Sequence, residues 1–109
     1  MVMGELPEEA ETLVIGGGPA GYAAAFHAAA LGQDVTLVSD EPRLGGVCLL
    51  RGCIPSKALL GLADLIQAAE EAADHGVAFG KPEIDLDGMR KWKDDVVDKL
   101  AEGLDSLCE

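Results

Sequence analysis

The sequence predicts an α/β fold in which one βαβ unit is followed by two long helices. Near the N-terminus, two short apolar runs flank a glycine-rich turn and an alanine-rich stretch, which is the pattern of strand, turn, helix and strand. Further along, two stretches carry apolar residues at helical spacing. The chain has 109 residues, a length that suits one domain or part of a larger one.

The βαβ unit is predicted element by element. Residues 11–15 form a short apolar run that ends at glycines, which is typical of a buried parallel strand. Residues 16–21 predict a turn, and the alanine-rich helix is expected over 22–31, where Gly32 stops it. Residues 34–38 predict the second strand, which completes the unit within about 28 residues.

Two helices are predicted in the second half of the chain. The first is expected over 55–74, with Pro55 in its first turn, where the missing N–H would have no partner anyway. Gly76 closes this helix, and residues 77–79 predict a short strand. The second helix is expected over 85–107. Its predicted apolar face consists of Leu86, Met89, Trp92, Val96, Leu100 and Leu104.

The composition limits the classes of partner. The net charge is −12, and such an acidic surface repels phosphate backbones and anionic membranes, so we expect neither nucleic acid nor a membrane as a partner. No stretch is expected to reach the length of a membrane span. Residues 1–10 read as a polar lead-in that is acidic where a signal peptide would be basic, so a cytoplasmic location is expected. In that compartment a close cysteine pair is redox-active or metal-binding rather than a structural staple.

A glycine pattern at the first turn predicts a dinucleotide site. Gly16, Gly18 and Gly21 have the spacing of the dinucleotide fingerprint and lie between a predicted strand and a predicted helix. In that fingerprint the first glycine allows the tight turn, the second admits the pyrophosphate, and the third lets helix and strand pack closely. The helix N-terminus supplies free N–H groups and a positive dipole end. The alternative is a purely structural turn.

The fingerprint also expects an acid about 20 residues further on, where it binds a ribose. Residues 39–46 are predicted to be a loop, and Ser39 stands at the position of the acid, with Asp40 one residue late. Because successive residues of a strand face opposite sides, this slip matters. Either Ser39 donates a hydrogen bond to a ribose hydroxyl or the loop brings Asp40 there, unless Asp40 is simply a solvated loop acid.

Cys48 and Cys53 are five residues apart. In a regular helix their Cα atoms would lie roughly 8.7 Å apart, whereas a disulfide tolerates at most about 7 Å. A bond between them therefore requires a distorted or interrupted turn. Gly45, Gly46 and Gly52 can supply the backbone freedom for it.

Of the two sulfurs, Cys53 is predicted to be the activated one. It lies just before Pro55, near the positive end of the following helix, which favours a thiolate. Cys48, the other cysteine of the pair, would have a more loop-like backbone. A metal site would need two further ligands, and we expect none. The remaining candidates are Cys108, His27 and His75. Two unreactive buried thiols are the other alternative.

Three runs together resemble the start of the FAD-dependent pyridine nucleotide–disulfide oxidoreductases: GGGPAGYAAA, VTLVSDEPRLGGVC and LLRGCIPSKALL. The cysteine motif is specific to that family, whereas the glycine pattern alone is not. Ile54 and Ser56, together with residues 75–100, favour the branch that oxidises protein-bound dihydrolipoamide over the glutathione-reducing branch. The resemblance runs from about Thr12 to the chain end and implies a Rossmann-like, incomplete three-layer FAD/NAD(P)-binding domain.

The resemblance implies a set of cofactor-binding residues. Those that would hold the FAD pyrophosphate are Gly16, Gly18, Pro19, Ala20 and Gly21. Those beside the adenosine ribose would be Ser39 and Asp40. Those along the cofactor would be Gly45, Gly46 and Val47. Lys57 would lie near the reactive edge of the flavin.

The resemblance also implies the route of the electrons. Cys48 would exchange with the dithiol substrate and Cys53 would lie against the flavin, in agreement with its predicted activation. Electrons would pass from dihydrolipoamide to the cysteine pair, then to FAD and then to NAD⁺. The implied partners are the lipoyl domain of a 2-oxoacid dehydrogenase-type complex and, for the parent protein, a second copy in a homodimer.

This sequence departs from the family pattern at a few positions. Ser39 replaces the usual ribose-binding Glu, and Val47 and Leu50 replace the common Thr and Asn around Cys48. Residues 1–109 would form the N-terminal part of the FAD-binding domain. The NAD-binding domain and the dimerisation domain, with its catalytic His and Glu, would lie outside this chain.

Two other functions stay open at this point. One is a non-catalytic fragment that binds nucleotide or a partner polypeptide, and the other is a flavin-independent thiol–disulfide exchanger. On the main hypothesis, the 109 residues alone are expected to show little or no dehydrogenase activity.

Overall fold

The computed structural model describes residues 9–108, so most of the lead-in predicted for residues 1–10 lies outside the described part. Within these residues, two strands and four α-helices follow one another, and a 3₁₀ turn, Ala72–His75, comes after the third helix. The strands are β1 (Thr12–Ile15) and β2 (Val35–Val38). The helices are α1 (Pro19–Ala30), α2 (Gly46–Arg51), α3 (Cys53–Glu71) and α4 (Leu86–Leu107).

The predicted βαβ unit is confirmed. β1 and β2 pair in parallel, with Thr12 opposite Val35 and Ile15 opposite Val38. The helix between them begins at Pro19, three residues earlier than predicted. Proline suits the first helical position because its fixed φ is helical and its missing N–H needs no partner there. The predicted turn is therefore shorter, and its last residues form the first turn of α1.

The loop predicted over residues 39–46 ends at the six-residue helix α2, which the sequence analysis did not predict. Leu49 of this helix is buried. The long helix that follows begins at Cys53, two residues before Pro55. Six residues are too few to show a helical period, which is why no element was predicted between residues 46 and 55.

The end of the α3 region is closed by its own backbone. Gly76 adopts a left-handed conformation, with φ of 86°. Its N–H donates to the carbonyl of Ala73, and the N–H of Val77 donates to the carbonyl of Ala72. This Schellman motif satisfies carbonyl groups that the helix end would otherwise leave without partners.

The short strand predicted for residues 77–79 is wrong. These residues have no regular structure, and the Phe79 side chain is 71% exposed. A strand needs a neighbour to accept and donate its backbone hydrogen bonds, and the described sheet contains only β1 and β2.

The last helix is capped by Asp85, whose carboxylate accepts from the backbone N–H groups of Asp87 and Gly88. The buried residues of α4 are Val97 and Ala101, one position away from the predicted apolar residues Val96 and Leu100. The apolar face is thus rotated from the prediction. It packs towards α2 and α3 and leaves part of the predicted stripe exposed.

The core is small for the chain. Among residues 9–108, the buried apolar side chains are Ala25, Leu44, Leu49, Val97 and Ala101. The Cα radius of gyration is 20.8 Å, whereas a compact domain of this length has about 13 Å. Apolar side chains such as Ile15, at 81% exposure, and Leu65, at 65%, face outward. Apolar surface of this kind marks a site of contact with a partner polypeptide, a ligand or a membrane.

The expectation that no stretch reaches the length of a membrane span is wrong. The helical stretch Gly46–His75 spans 30 residues and is long and apolar enough to cross a membrane. It was missed because the prediction began at Pro55, without the helix before it. A single such helix is a weak indication, since core helices of soluble proteins pass the same test. The expected absence of a membrane partner stays a prediction.

The Asp85 cap generates a stability prediction. Asp85→Ala removes the acceptor of two N–H groups and should lower the free energy of unfolding by about 1 kcal/mol. Asp85→Ser keeps a capping oxygen and should stay within a few tenths of a kcal/mol of the wild type, roughly. Urea denaturation measures both. Equal losses for Ala and Ser would show that the cap does not stabilise α4.

Candidate functional site

The glycine turn between β1 and α1 forms a tight backbone path. Gly16 has φ of 114°, a value that favours glycine, and its N–H donates to the Val38 carbonyl at 2.7 Å. A Cβ atom built on Gly21 would collide with the Gly16 carbonyl. The third glycine therefore lets α1 pack directly against the end of β1, as the fingerprint requires.

The N-terminus of α1 is open to an anion. Gly18 is the N-cap residue and has no side chain to bond the first N–H groups, and Pro19 follows in the first turn. The first backbone N–H groups of a helix have no acceptor within the helix, and they form the positive end of its dipole. The arrangement fits a phosphate group, and it comprises four of the predicted cofactor residues, with Ala20 and Gly21.

The glycine turn also packs against the helix that carries the first cysteine. The Gly45 N–H donates to the Gly17 carbonyl at 2.9 Å. A Cβ atom built on Gly46 would lie 2.6 Å from the Gly18 Cα atom, and Gly46 itself has φ of 61°. Only glycine allows this approach, so the phosphate-type turn and the cysteine helix α2 are adjacent. Val47, the next residue, has an exposed side chain.

The two candidates for ribose binding lie at the end of β2. Ser39 is beside the glycine turn, since a Cβ atom built on Gly17 would lie 3.0 Å from its Oγ atom. That Oγ atom accepts a hydrogen bond from the Glu41 N–H at 3.2 Å, which leaves the hydroxyl proton to donate. Asp40 is exposed. The structure thus brings Ser39, but not Asp40, against the turn.

Cys48 and Cys53 form a disulfide, and their Cα atoms are 4.5 Å apart. Helix α2 ends at Arg51 and α3 begins at Cys53, so Gly52 is the interruption that the spacing requires. A Cβ atom built on Gly52 would lie 2.8 Å from the Val47 carbonyl oxygen. Cys48 is therefore in a helix and not in a loop, contrary to the prediction.

The two sulfurs have different surroundings. Cys53 is the first residue of the 19-residue helix α3 and is exposed, whereas Cys48 is half-buried in α2. A helix N-terminus stabilises negative charge, so the sulfur of Cys53 is the better leaving group when the disulfide opens. Lys57, four residues further on, lies on the same face of α3 and is exposed.

An ion pair that no sequence pattern indicated joins the loop after β2 to the last residue of α2. The two terminal nitrogens of Arg51 donate to the two carboxylate oxygens of Glu41, each at 2.9 Å. The hydrogen bonds from Arg51 lower the pKa of Glu41, and those bonds raise the pKa of Arg51 in turn. The pair spans ten residues between a loop and a helix, so no helical or strand spacing could have indicated it.

A second ion pair joins the same loop to α4. Arg43 donates to the Asp98 carboxylate on α4 at 2.9 Å. The segment between β2 and α2 is thus bonded to the glycine turn, to the end of α2 and to α4.

Metal ligands are not grouped in the described residues. Over residues 9–108, no three His, Cys, Asp or Glu side chains are placed to hold an ion. The expected absence of a metal site stays a prediction.

A phosphate-type turn packed against a helix with a bridged cysteine pair defines a nucleotide-binding disulfide oxidoreductase. A family model described as pyridine nucleotide-disulphide oxidoreductase matches residues 10–109, and the chain belongs to that family.

The curated relatives are longer proteins. The chain is 50% identical to dihydrolipoyl dehydrogenase 2 of Haloarcula marismortui over 109 residues, which is 100% of this chain and 23% of the relative. It is 50% identical to a dihydrolipoyl dehydrogenase of Vibrio parahaemolyticus over 93% of this chain and 21% of the relative. For the Bacillus subtilis dihydrolipoyl dehydrogenase the identity is 47%, over 100% of this chain and 23% of the relative. The chain therefore spans less than a quarter of their lengths and resembles a flavin disulfide oxidoreductase of that type.

The break at Gly52 generates a prediction about the disulfide. Gly52→Ala places a methyl group against the Val47 carbonyl and should lower the free energy of unfolding of the oxidised protein by roughly 1–3 kcal/mol. It should also reduce the disulfide fraction, measured by thiol alkylation. Gly61→Ala in α3 is the matched control, because open space surrounds it and alanine favours a helix by up to about 1 kcal/mol. Equal disulfide fractions in both variants would contradict this account.

The Glu41–Arg51 pair generates a prediction about pH. Because the pKa of Glu41 is lowered in the folded state, its stabilising contribution is present above the ordinary value of 4.5 and is lost as the pH falls through the lower value. The wild type should therefore exceed Glu41→Gln in stability at neutral pH, and the difference should vanish in acid once the pH lies below the lowered pKa of Glu41. Urea unfolding measures it, since an ionic denaturant would screen the pair. A difference that grows in acid would contradict the assignment.

Proposed function

We propose that the chain is the flavin-side segment of a dihydrolipoyl dehydrogenase. Its disulfide would oxidise dihydrolipoamide carried by the lipoyl domain of a 2-oxoacid dehydrogenase-type complex, with FAD as cofactor and NAD⁺ as acceptor. The observation that carries the proposal is the Cys48–Cys53 disulfide across the break at Gly52, on a helix packed against the glycine turn. The similarity to dihydrolipoyl dehydrogenases along the whole chain supports it.

The proposed order of the thiol–disulfide steps rests on the position of Cys53 at the N-terminus of α3, where a leaving thiolate is stabilised. One thiolate of the substrate attacks the Cys48 sulfur, a mixed disulfide forms, and the Cys53 sulfur leaves as a thiolate at the N-terminus of α3. The second substrate thiol gives its proton to a general base, which would lie in further polypeptide. The resulting thiolate attacks the substrate sulfur of the mixed disulfide and displaces Cys48 as a thiolate. The substrate ends as a cyclic disulfide and has given two electrons to the cysteine pair.

The chain's own residues fit the cofactor. The pyrophosphate would be held at the N-terminus of α1 by Gly16, Gly18, Pro19, Ala20 and Gly21. Ser39, with a hydroxyl proton free to donate, is better placed for a ribose hydroxyl than the exposed Asp40. Gly45, Gly46 and Val47 would run along the cofactor. When bound, FAD would accept the electron pair from the reduced cysteines and pass it to NAD⁺.

Cys53 and Lys57 are the residues that would face the flavin. They occupy one face at the start of α3, four residues apart, and both are exposed. A cationic side chain there would offset negative charge on the sulfur or on the neighbouring ring.

The segment would work inside a larger protein. Residues 1–109 would form part of the FAD-binding domain, and further polypeptide would bind NAD⁺ and form the homodimer. The exposed apolar side chains of β1 and α3 support this, because further chain or a second subunit would cover them. We place the protein in the cytoplasm, without nucleic acid or membrane partners.

Replacing each cysteine tests the function. In the flavin-loaded full-length protein, Cys48→Ser and Cys53→Ser should each reduce dihydrolipoamide-dependent NAD⁺ reduction by about 10³-fold or more, because neither hydroxyl can form the disulfide. Both should still retain flavin, measured by its absorbance after gel filtration. Cys108→Ser is the control, because Cys108 is an exposed free thiol at the end of α4, and it should keep full activity. Undiminished turnover in either active-site variant would refute the proposed role.

A further inference from the structure

The Glu41–Arg51 ion pair is geometrically tighter than an ordinary surface contact. Each terminal nitrogen of the Arg51 guanidinium donates to a different carboxylate oxygen of Glu41, and each distance is 2.9 Å. This is the geometry of a bidentate ion pair. The Glu41 side chain is 28% exposed and that of Arg51 is 55% exposed. The Glu41 backbone is fixed as well, because its N–H donates to the Ser39 Oγ atom.

The position of Arg51 connects this pair to the disulfide. Arg51 is the last residue of α2, Gly52 is the break, and Cys53 begins α3. Cys48 lies one turn before Arg51 in the same short helix. A restraint on the Arg51 side chain therefore restrains the direction of α2 relative to the break at Gly52.

When the disulfide is reduced, only non-covalent contacts hold the angle between α2 and α3 at Gly52. The Cα atoms of positions 48 and 53 are 4.5 Å apart in the oxidised form, whereas a disulfide cannot close beyond about 7 Å. An interaction that fixes the end of α2 in the oxidised arrangement therefore favours the disulfide over the dithiol, since it stabilises one side of the equilibrium.

We propose that Glu41 and Arg51 are positioning residues for the redox pair: their ion pair holds the end of α2 against the loop after β2, so that the break at Gly52 keeps Cys48 within bonding distance of Cys53. The biological meaning of this arrangement rests on the proposed function. Its physical content is a shift of the thiol–disulfide equilibrium, which can be read without flavin turnover.

The other charges near the pair bear on its strength. Asp40 is a second acid that attracts Arg51, and its charge also raises the pKa of the Arg51 guanidinium. The net charge of −12 leaves few cations to compete for Glu41. An exposed bidentate pair of this kind should change an equilibrium constant by roughly two- to fivefold.

The test is a redox titration of the full-length protein. It is equilibrated with graded ratios of reduced and oxidised dithiothreitol, thiols are trapped by alkylation, and the Cys48–Cys53 peptide is quantified by mass spectrometry. In this exchange one dithiothreitol gives up two electrons and two protons and closes its own disulfide, while the protein disulfide becomes two thiols. The variants are Glu41→Gln and Arg51→Gln, with Arg51→Lys as the conservative change.

Lys91→Gln is the matched control. It breaks the Lys91–Asp95 pair, an exposed ion pair on α4. Glu41→Gln and Arg51→Gln should each lower the disulfide-to-dithiol constant by roughly two- to fivefold, Arg51→Lys should lower it less, and Lys91→Gln should leave it unchanged. Constants equal to that of the wild type in both Gln variants would overturn the proposal, and so would an equal fall in Lys91→Gln.

A salt titration of the wild type keeps the proposal testable if the variants do not fold. Raising KCl to about 1 M shortens the screening length to about 3 Å and should lower the constant in the same direction. A constant independent of salt would overturn the proposal. Because none of these readouts uses NAD⁺ or dihydrolipoamide, failure of the proposed enzymatic function would appear separately, as absent turnover with a normal redox shift.

Discussion

The site depends on one close contact, the approach of the chain at Gly52 to the carbonyl group of Val47. A side chain at position 52 would occupy the space that this carbonyl fills. The contact ends one helix and begins another, which brings two cysteines five residues apart into bonding distance. It also places Cys53 at the start of a long helix, where a leaving thiolate is stabilised. One missing side chain thus accounts for the bond and for the difference between its two sulfurs.

A second close approach joins this redox element to the phosphate-type turn. Gly46 lies against Gly18, backbone to backbone, and α2 therefore begins beside the glycine turn that precedes α1. Four of the buried apolar side chains lie in this region: Leu44 before α2, Leu49 in α2, and Val97 and Ala101 in α4. The last helix supports the cysteine helix by this small core and by the Arg43–Asp98 pair. Much of the remaining apolar surface faces outward, in keeping with a chain that spans less than a quarter of its relatives.

Local patterns predicted the βαβ unit, the two long helices and the family, because strand runs, glycine spacing and helical periods are all written in adjacent residues. The need for an interrupted turn between the cysteines also followed from distance alone. The helix α2 was not predictable, since six residues show no period. The strand predicted at 77–79 was wrong because a strand forms only where a neighbouring strand accepts and donates its hydrogen bonds. A short apolar run does not show whether such a neighbour exists. The Glu41–Arg51 pair and the buried Val97 depend on tertiary packing, which no single-sequence pattern contains. The roles of the individual site residues remain predictions.

The unequal exposure of the two sulfurs has a consequence for the order of assembly. In the segment as it folds here, Cys53 is the more accessible sulfur and Cys48 is half-buried. Exposure alone would direct small thiols in the cell to Cys53, whereas the proposed catalysis has the substrate attack Cys48. Under the proposed function, the isoalloxazine ring would cover Cys53 and direct incoming thiols to the other sulfur. Binding of the flavin would therefore decide which of the two sulfurs reacts with an incoming thiol. Newly synthesised protein without flavin would be open to glutathionylation at Cys53, the sulfur that the bound ring would cover.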